Sequence, residues 1–266
     1  MTPNPIRQRW AGGGAAVNGW LSMSCPFAAE VMAEQGFDSL TVDLQHGVID
    51  YAGAVGMFQA MRASGVAPMA RVPWLDPGAV MKVLDAGAIG VICPMIDTAE
   101  QAARLAEAVR YPPAGRRSFG PTRAALSAGP HYFEGANAEV LALAMIETAE
   151  GVANLDAILA TPGLDGVYVG PADLTLGVTQ GRLGPGFDRE EPEMVELIQR
   201  IAQAARAAGR RAGLHCGAPE YAAKAAGWGY DLVTMGTDAR LLADAAALTV
   251  SRTRTLLDAG RGAEGN

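Results

Sequence analysis

The sequence predicts a (β/α)8 barrel, and three observations predict it. Short apolar runs alternate with Ala-rich helical stretches along the whole chain. Eight of those runs read as strands, and 266 residues suit one closed barrel, for which ~250 is typical. Small-residue punctuation such as Asp85-Ala86-Gly87-Ala88 and Ala208-Gly209-Arg210-Arg211 recurs ahead of the strands, as helix ends require. Half of the residues are hydrophobic and 18% are charged, enough apolar side chain for a large core.

The first strand is expected at 19–22, followed by a helix at 26–35. The second, 39–43, ends on Asp43 and precedes a helix at 51–64. The third, 67–72, carries Arg71 to its end, and Asp85 closes the helix after it. The fourth, 90–93, places Cys93 in the core and leads to a helix at 99–109. Residues 112–137 break the rhythm: a long Gly- and Pro-rich loop with Arg116, Arg117, Arg123, His131, Tyr132 and Phe133. A loop of that length in a compact protein is usually functional. The fifth strand, 142–146, delivers Glu147 and is followed by a helix at 152–159. The sixth, 166–169, lies between Gly166 and Gly170-Pro171 and delivers Asp173. Residues 174–192 read as a second Gly-rich loop, then a helix at 194–208. The seventh and eighth strands, 211–215 and 232–235, complete the set. A last helix at 238–257 and a frayed tail at 260–266 end the chain.

Net charge is −7 with no Lys/Arg cluster, which argues against nucleic acid as a partner. Small anionic substrates stay open, because local arginines decide that. Cys25, Cys93 and Cys216 are odd in number and contain no CxxC, so neither a disulfide frame nor a zinc site is expected. The first ten residues lack the apolar stretch of a signal peptide, and no segment resembles a membrane span, so a cytoplasmic location is expected.

Chemistry is expected where strands end. Glu147 and Asp173 are 26 residues apart, about one strand-helix-strand unit. Adjacent parallel strands lie roughly 4.8 Å apart, so two carboxylates leaving their tops can bind one ion. Simple helix capping is the alternative. His46, in Asp43-Leu44-Gln45-His46-Gly47, would stand on the same rim and suits proton transfer near neutral pH. Arg71 leaves an apolar strand and needs an anion, either a substrate or a structural carboxylate. No GxSxG, Walker A or GxGxxG context occurs. Lys82 and Lys224 read as exposed helix residues, which weakens Schiff-base chemistry; an enolate would need a metal instead.

These residues carry a resemblance to the metal-dependent class II pyruvate aldolases of the HpcH/HpaI type. The matching pieces are Asp43-Leu44-Gln45-His46-Gly47, Tyr111-Pro112-Pro113-Ala114-Gly115-Arg116-Arg117, Met145-Ile146-Glu147-Thr148 and Val169-Gly170-Pro171-Ala172-Asp173-Leu174. The resemblance implies reversible aldol addition of pyruvate or hydroxypyruvate to an aldehyde, with a divalent ion (Mg²⁺, Mn²⁺ or Co²⁺) held by Glu147 and Asp173. It implies that Arg71 stabilises the enolate oxygen, that His46 shuttles the proton, and that Asp85 partners His46. Gly170, Pro171 and Ala172 would receive the substrate carboxylate at a helix start. Trp20, His215 and Arg123 join them as substrate-binding residues, Arg123 at the aldehyde end or against a neighbouring subunit. Asp85 lies too far toward the other end of the barrel to reach its own His46, so the dyad would form between subunits. The resemblance also implies a trimer or hexamer built by swapping the last helix. Met145 and His215 depart from the pattern, where relatives have glutamine and an aliphatic residue. A polar His215 would favour a hydroxylated donor. The alternatives are a lyase of acyl-CoA thioesters, a catalytically silent barrel subunit, and a phosphosugar isomerase.

Overall fold

The computed structural model describes the backbone of residues 1–263 and the side chains of residues 1–259. Eight parallel strands close in sequence order: β1 (Ala16–Leu21), β2 (Ser39–Asp43), β3 (Ala67–Arg71), β4 (Gly90–Cys93), β5 (Leu141–Ile146), β6 (Gly166–Val169), β7 (Arg211–Cys216) and β8 (Leu232–Met235). The helices are α1 (Pro5–Ala11), α2 (Pro26–Ala33), α3 (Tyr51–Ala60), α4 (Pro77–Asp85), α5 (Ala99–Val109), α6 (Ala124–Ala128), α7 (Tyr132–Glu139), α8 (Ala149–Ala153), α9 (Leu155–Leu159), α10 (Pro171–Thr179), α11 (Pro192–Ala207), α12 (Pro219–Trp228) and α13 (Asp238–Ala263). Proline opens α2, α4, α10, α11 and α12, where its fixed φ fits and its missing N–H costs nothing. Asp50, Asp76 and Thr98 cap α3, α4 and α5 through their side chains.

Apolar packing divides into two layers. One fills the space between strands and outer helices, with Val42, Val91, Ile146 and Val169 among its members. The other fills the barrel itself, with Trp20, Met69, Ile92, Leu143, Met145 and Tyr168. Ile6 and Trp10 of α1 belong to this inner layer and plug the end where the strands begin, here called the foot. The opposite end, where the strands finish, is the mouth.

The structure adds one helix and corrects three expectations. The polar opening segment folds as α1, because Ile6 and Trp10 find the open foot to bury into. Residues 112–137 contain α6 and most of α7, and Arg117 lies buried in that segment between Tyr111 and Tyr132, 4.5 and 5.4 Å from the rings. The stretch after Asp173 is helical through Thr179, with Thr175 and Thr179 hydroxyls folded back onto the carbonyls of Pro171 and Thr175. The last helix continues to Ala263, through most of the expected tail; residues 264–266 lie outside the described residues. Among the described residues no helix is long and apolar enough to cross a membrane.

Candidate active site

Strand register sets the mouth. Asp43 and Arg71 are paired neighbours at the ends of β2 and β3. Arg71 grips Asp43 with both edges of its fork: Nε donates to Oδ1 at 2.8 Å and Nη2 to Oδ2 at 2.6 Å. Asp43 also accepts from the Trp20 indole N–H (3.1 Å) and from the backbone N–H groups of Gln45 and His46. Burial works to raise the Asp43 carboxyl, but the Arg71 fork and these donors outweigh it and hold the group below the usual range. The arginine is therefore fixed in place over the Trp20 face, 4.9 Å from its centroid. The anion that Arg71 required is a protein carboxylate, and the fork's Nη1 makes no hydrogen bond among the described residues.

Glu147 follows β5 and is almost wholly buried, at 2% exposure. Its Oε1 accepts from the Met95 N–H at 2.9 Å, a donor aimed by the left-handed φ of 55° at Met95. No cation pairs with it among the described residues. Burial pushes its carboxyl up to about 7, and the negative charge of Asp173 adds to the rise against the Met95 N–H. Asp173, in the first turn of α10, is exposed and makes no hydrogen bond or ion pair among the described residues. A buried carboxylate left without a positive partner beside a second free carboxylate is costly unless a cation is bound. These two oxygen donors fit a hard divalent ion, which takes further ligands from substrate and water. Gly170, between them, has a structural reason to be glycine: an added Cβ would lie 2.5 Å from Glu147 Oε2. It starts α10 without a side-chain cap, so the first N–H groups of that helix stay open to an anion.

His46 is exposed on the loop after β2, and its ring makes no hydrogen bond among the described residues. Asp85 is not its partner here: Asp85 ends α4 near the foot and pairs with Arg117 at 2.7 Å. Burial raises the Asp85 carboxyl, against the pull of Arg117. Trp20 and Arg123 are placed by contacts of their own. Trp20 is 2% exposed and supports Asp43 and Arg71 from beneath. Arg123 is not brought to its own barrel's mouth; it donates to the carbonyls of Ala86 and Phe58, at the foot ends of α4 and α3.

His215 ends β7 beneath the mouth, stacked on Phe187 at 4.7 Å and edge-on to Trp20 at 4.9 Å. Burial, then the charge of Arg71, pulls its pKa down to about 3, so the ring is neutral. A buried polar chain runs beneath it. Asn18 Oδ1 accepts from the Ser39 and Thr41 hydroxyls, so Asn18 Nδ2 donates to Thr234. Tyr168 donates to Thr234 at 2.7 Å and faces His215 Nδ1 at 3.3 Å.

Sequence reading missed Asp43 as the holder of Arg71, Met95 as a donor, and Phe187 as the cover of His215. The first was visible as an acid at a strand end one repeat before the arginine. The other two depend on loop geometry that no local pattern encodes.

The fold and these carboxylates define an enzyme of the barrel class with its chemistry at the strand ends. The chain belongs to the HpcH/HpaI aldolase/citrate lyase family, whose model matches residues 18–245. It is 40% identical to a hydroxypyruvate/pyruvate aldolase of Rhizorhabdus wittichii, over 95% of this chain and 100% of that one. It is 33% identical to a 5-keto-4-deoxy-D-glucarate aldolase of Citrobacter koseri, over 89% and 91%. Its fold matches an HpcH/HpaI aldolase/citrate lyase family protein from Burkholderia cenocepacia with a TM-score of 0.85 and 32% identity, over 94% and 99%.

Proposed function

We propose that this protein is a carbon–carbon lyase that joins hydroxypyruvate or pyruvate to an aldehyde, and reverses the step, with a divalent ion held by Glu147 and Asp173. The observation that carries the reading is the buried Glu147 carboxylate, which makes no ion pair among the described residues, with Arg71 fixed on the same rim by Asp43. The ion, Mg²⁺, Mn²⁺ or Co²⁺, supplies Lewis-acid polarisation of the donor's keto group when bound. The open N–H groups at the start of α10, in the Gly170-Pro171-Ala172 turn, bind the donor carboxylate. Arg71, held by Asp43, stabilises negative charge as it develops on the enolate oxygen. His46 takes the proton from C3 of the donor and returns it to the product alkoxide. The neutral His215 ring hydrogen-bonds a C3 hydroxyl, which favours hydroxypyruvate over pyruvate. Replacing His215 with Leu should raise KM for hydroxypyruvate and leave pyruvate little changed; equal effects on both donors would remove that role.

We also place the His46 partner in another subunit. Asp85 stands far from its own His46, and α13 leaves its apolar residues uncovered, which supports a trimer or hexamer with exchanged last helices. A monomeric variant with full activity would end that proposal.

The activity itself is tested by following deuterium entry at C3 of pyruvate and hydroxypyruvate in D₂O by NMR. Exchange that needs Mn²⁺, stops with a chelator and is lost in H46A supports the reading. No exchange with either donor under any divalent ion refutes it.

A further inference from the structure

We infer that the foot of the barrel holds a second binding site, for a small amphipathic carboxylate such as an arene carboxylate. A cavity of ≈ 180 Å³ opens where β3 and β4 begin. Its walls are apolar: Pro5, Phe58, Met61, Val66, Pro68 and Ile89. An apolar cavity of about 150 Å³ holds one benzene ring, so this one takes a ring and a little more. Pro68 lies near the start of β3 and Arg71 at its end, which separates the cavity from the mouth by the length of a strand.

Two guanidinium groups, of Arg62 and Arg123, share the rim of this cavity. Neither has a carboxylate within ion-pair reach among the described residues; they hold only carbonyl oxygens. Arg123 donates to Ala86 at 2.5 Å and Phe58 at 2.9 Å, and Arg62 donates to Leu126 at 3.2 Å. At the same end Arg9 and Arg210 also hold only carbonyl oxygens, but neither lines this cavity, and three other arginines there have carboxylates. Arg7 and Arg110 share Asp165, and Arg211 has Asp231. Two like charges set side by side without an anion are mutually unfavourable. Burial, then the charge of Arg62, accordingly lowers the Arg123 pKa. Gly87 makes room for this arrangement, since a Cβ there would lie 2.4 Å from Arg123 Nη1. An apolar slot finished by two unpaired forks recognises a molecule with an apolar body and one planar oxyanion. A bulky phosphate dianion would leave the apolar walls unused.

The test uses the full chain loaded with Mn²⁺ and saturated with pyruvate, so that the mouth is occupied. Benzoate and benzyl alcohol are titrated by calorimetry, and crystals are soaked in 4-bromobenzoate to locate bromine by anomalous scattering. The expected result is saturable 1:1 benzoate binding, at least about tenfold weaker for benzyl alcohol, which is roughly 1.4 kcal/mol. Bromine density in the slot, with its carboxylate on both guanidinium groups, completes the support. Arg62→Gln, at an exposed side chain with a single carbonyl bond, should weaken benzoate about tenfold without unfolding the protein. Equal affinity for the acid and the alcohol, an unchanged R62Q variant, or bromine only at the mouth or nowhere would each overturn the site.

Discussion

The two ends of the barrel treat charge in opposite ways. At the foot two strand-flanking carboxylates, Asp165 and Asp231, are paired with arginines. Asp165 takes Arg7, Arg110 and the Ala142 N–H, and Asp231 takes Arg211 and the Ala212 N–H. At the mouth Asp43 is paired with Arg71, while Glu147 and Asp173 make no ion pair among the described residues. The same residue types therefore do different work according to what is left unpaired. Saturated pairs hold strands in register; unsaturated ones wait for something that the chain does not supply.

The sharpest way to break this comparison is to neutralise one carboxylate at each end. Glu147→Gln should lower turnover on the order of 10³-fold with the circular dichroism unchanged. A loss below tenfold in steady-state assays would mean that the unpaired acid at the mouth is not used. Asp165→Asn should cost about 3 kcal/mol of stability in urea titration, because it strands two arginines. Its kcat should stay within about twofold; a parallel collapse of kcat would erase the distinction between the ends. A smaller effect is expected from Gly170→Ala, whose methyl must displace the Glu147 carboxylate. Mn²⁺ affinity should fall about 10- to 100-fold with little change in melting temperature. Unchanged affinity would show that the carboxylate can move without cost.

The smallest effect is a pH slope. The His215 imidazole titrates near 3 in the fold, against about 6.5 in an unfolded chain. Above pH 6.5 both states are neutral and His215 adds nothing to the pH dependence. Below it the unfolded chain gains a proton that the folded chain refuses, so stability declines as pH falls from 6.5 toward 3. His215→Phe should flatten that decline between pH 7 and pH 5 in urea midpoints. Parallel slopes in the two proteins would place the acid sensitivity elsewhere.

Most of the barrel was legible because a buried parallel strand is a short apolar run, and each run is closed by glycine, proline or a capping side chain. β2, β4, β6 and β8 begin and end where the apolar runs do. Glu147, Asp173, Arg71 and His46 were legible as polar residues placed just after such runs. What stayed hidden depends on contacts distant in sequence. The polar appearance of α1 conceals that two of its residues, Ile6 and Trp10, suffice to seal the foot. The bond from the Trp20 indole N–H to Asp43 is hidden in the same way. Arg123 shares a loop with buried Arg117, yet one guanidinium joins Asp85 and the other faces the cavity at the foot.

Asp238 fastens the start of α13 to the end of β1 by accepting from the Ser22 N–H, the Ser22 hydroxyl and the Met23 N–H. From Arg240 to Ala259 every residue of that helix is exposed, Leu242 and Leu248 among them. Its 26 residues make a rod of about 39 Å. A lone chain would thus sediment slowly for its mass, with a frictional ratio well above that of a sphere. Assembly that covers the rod would bring that ratio back down, so sedimentation velocity across a dilution series reads association without any substrate in the cell.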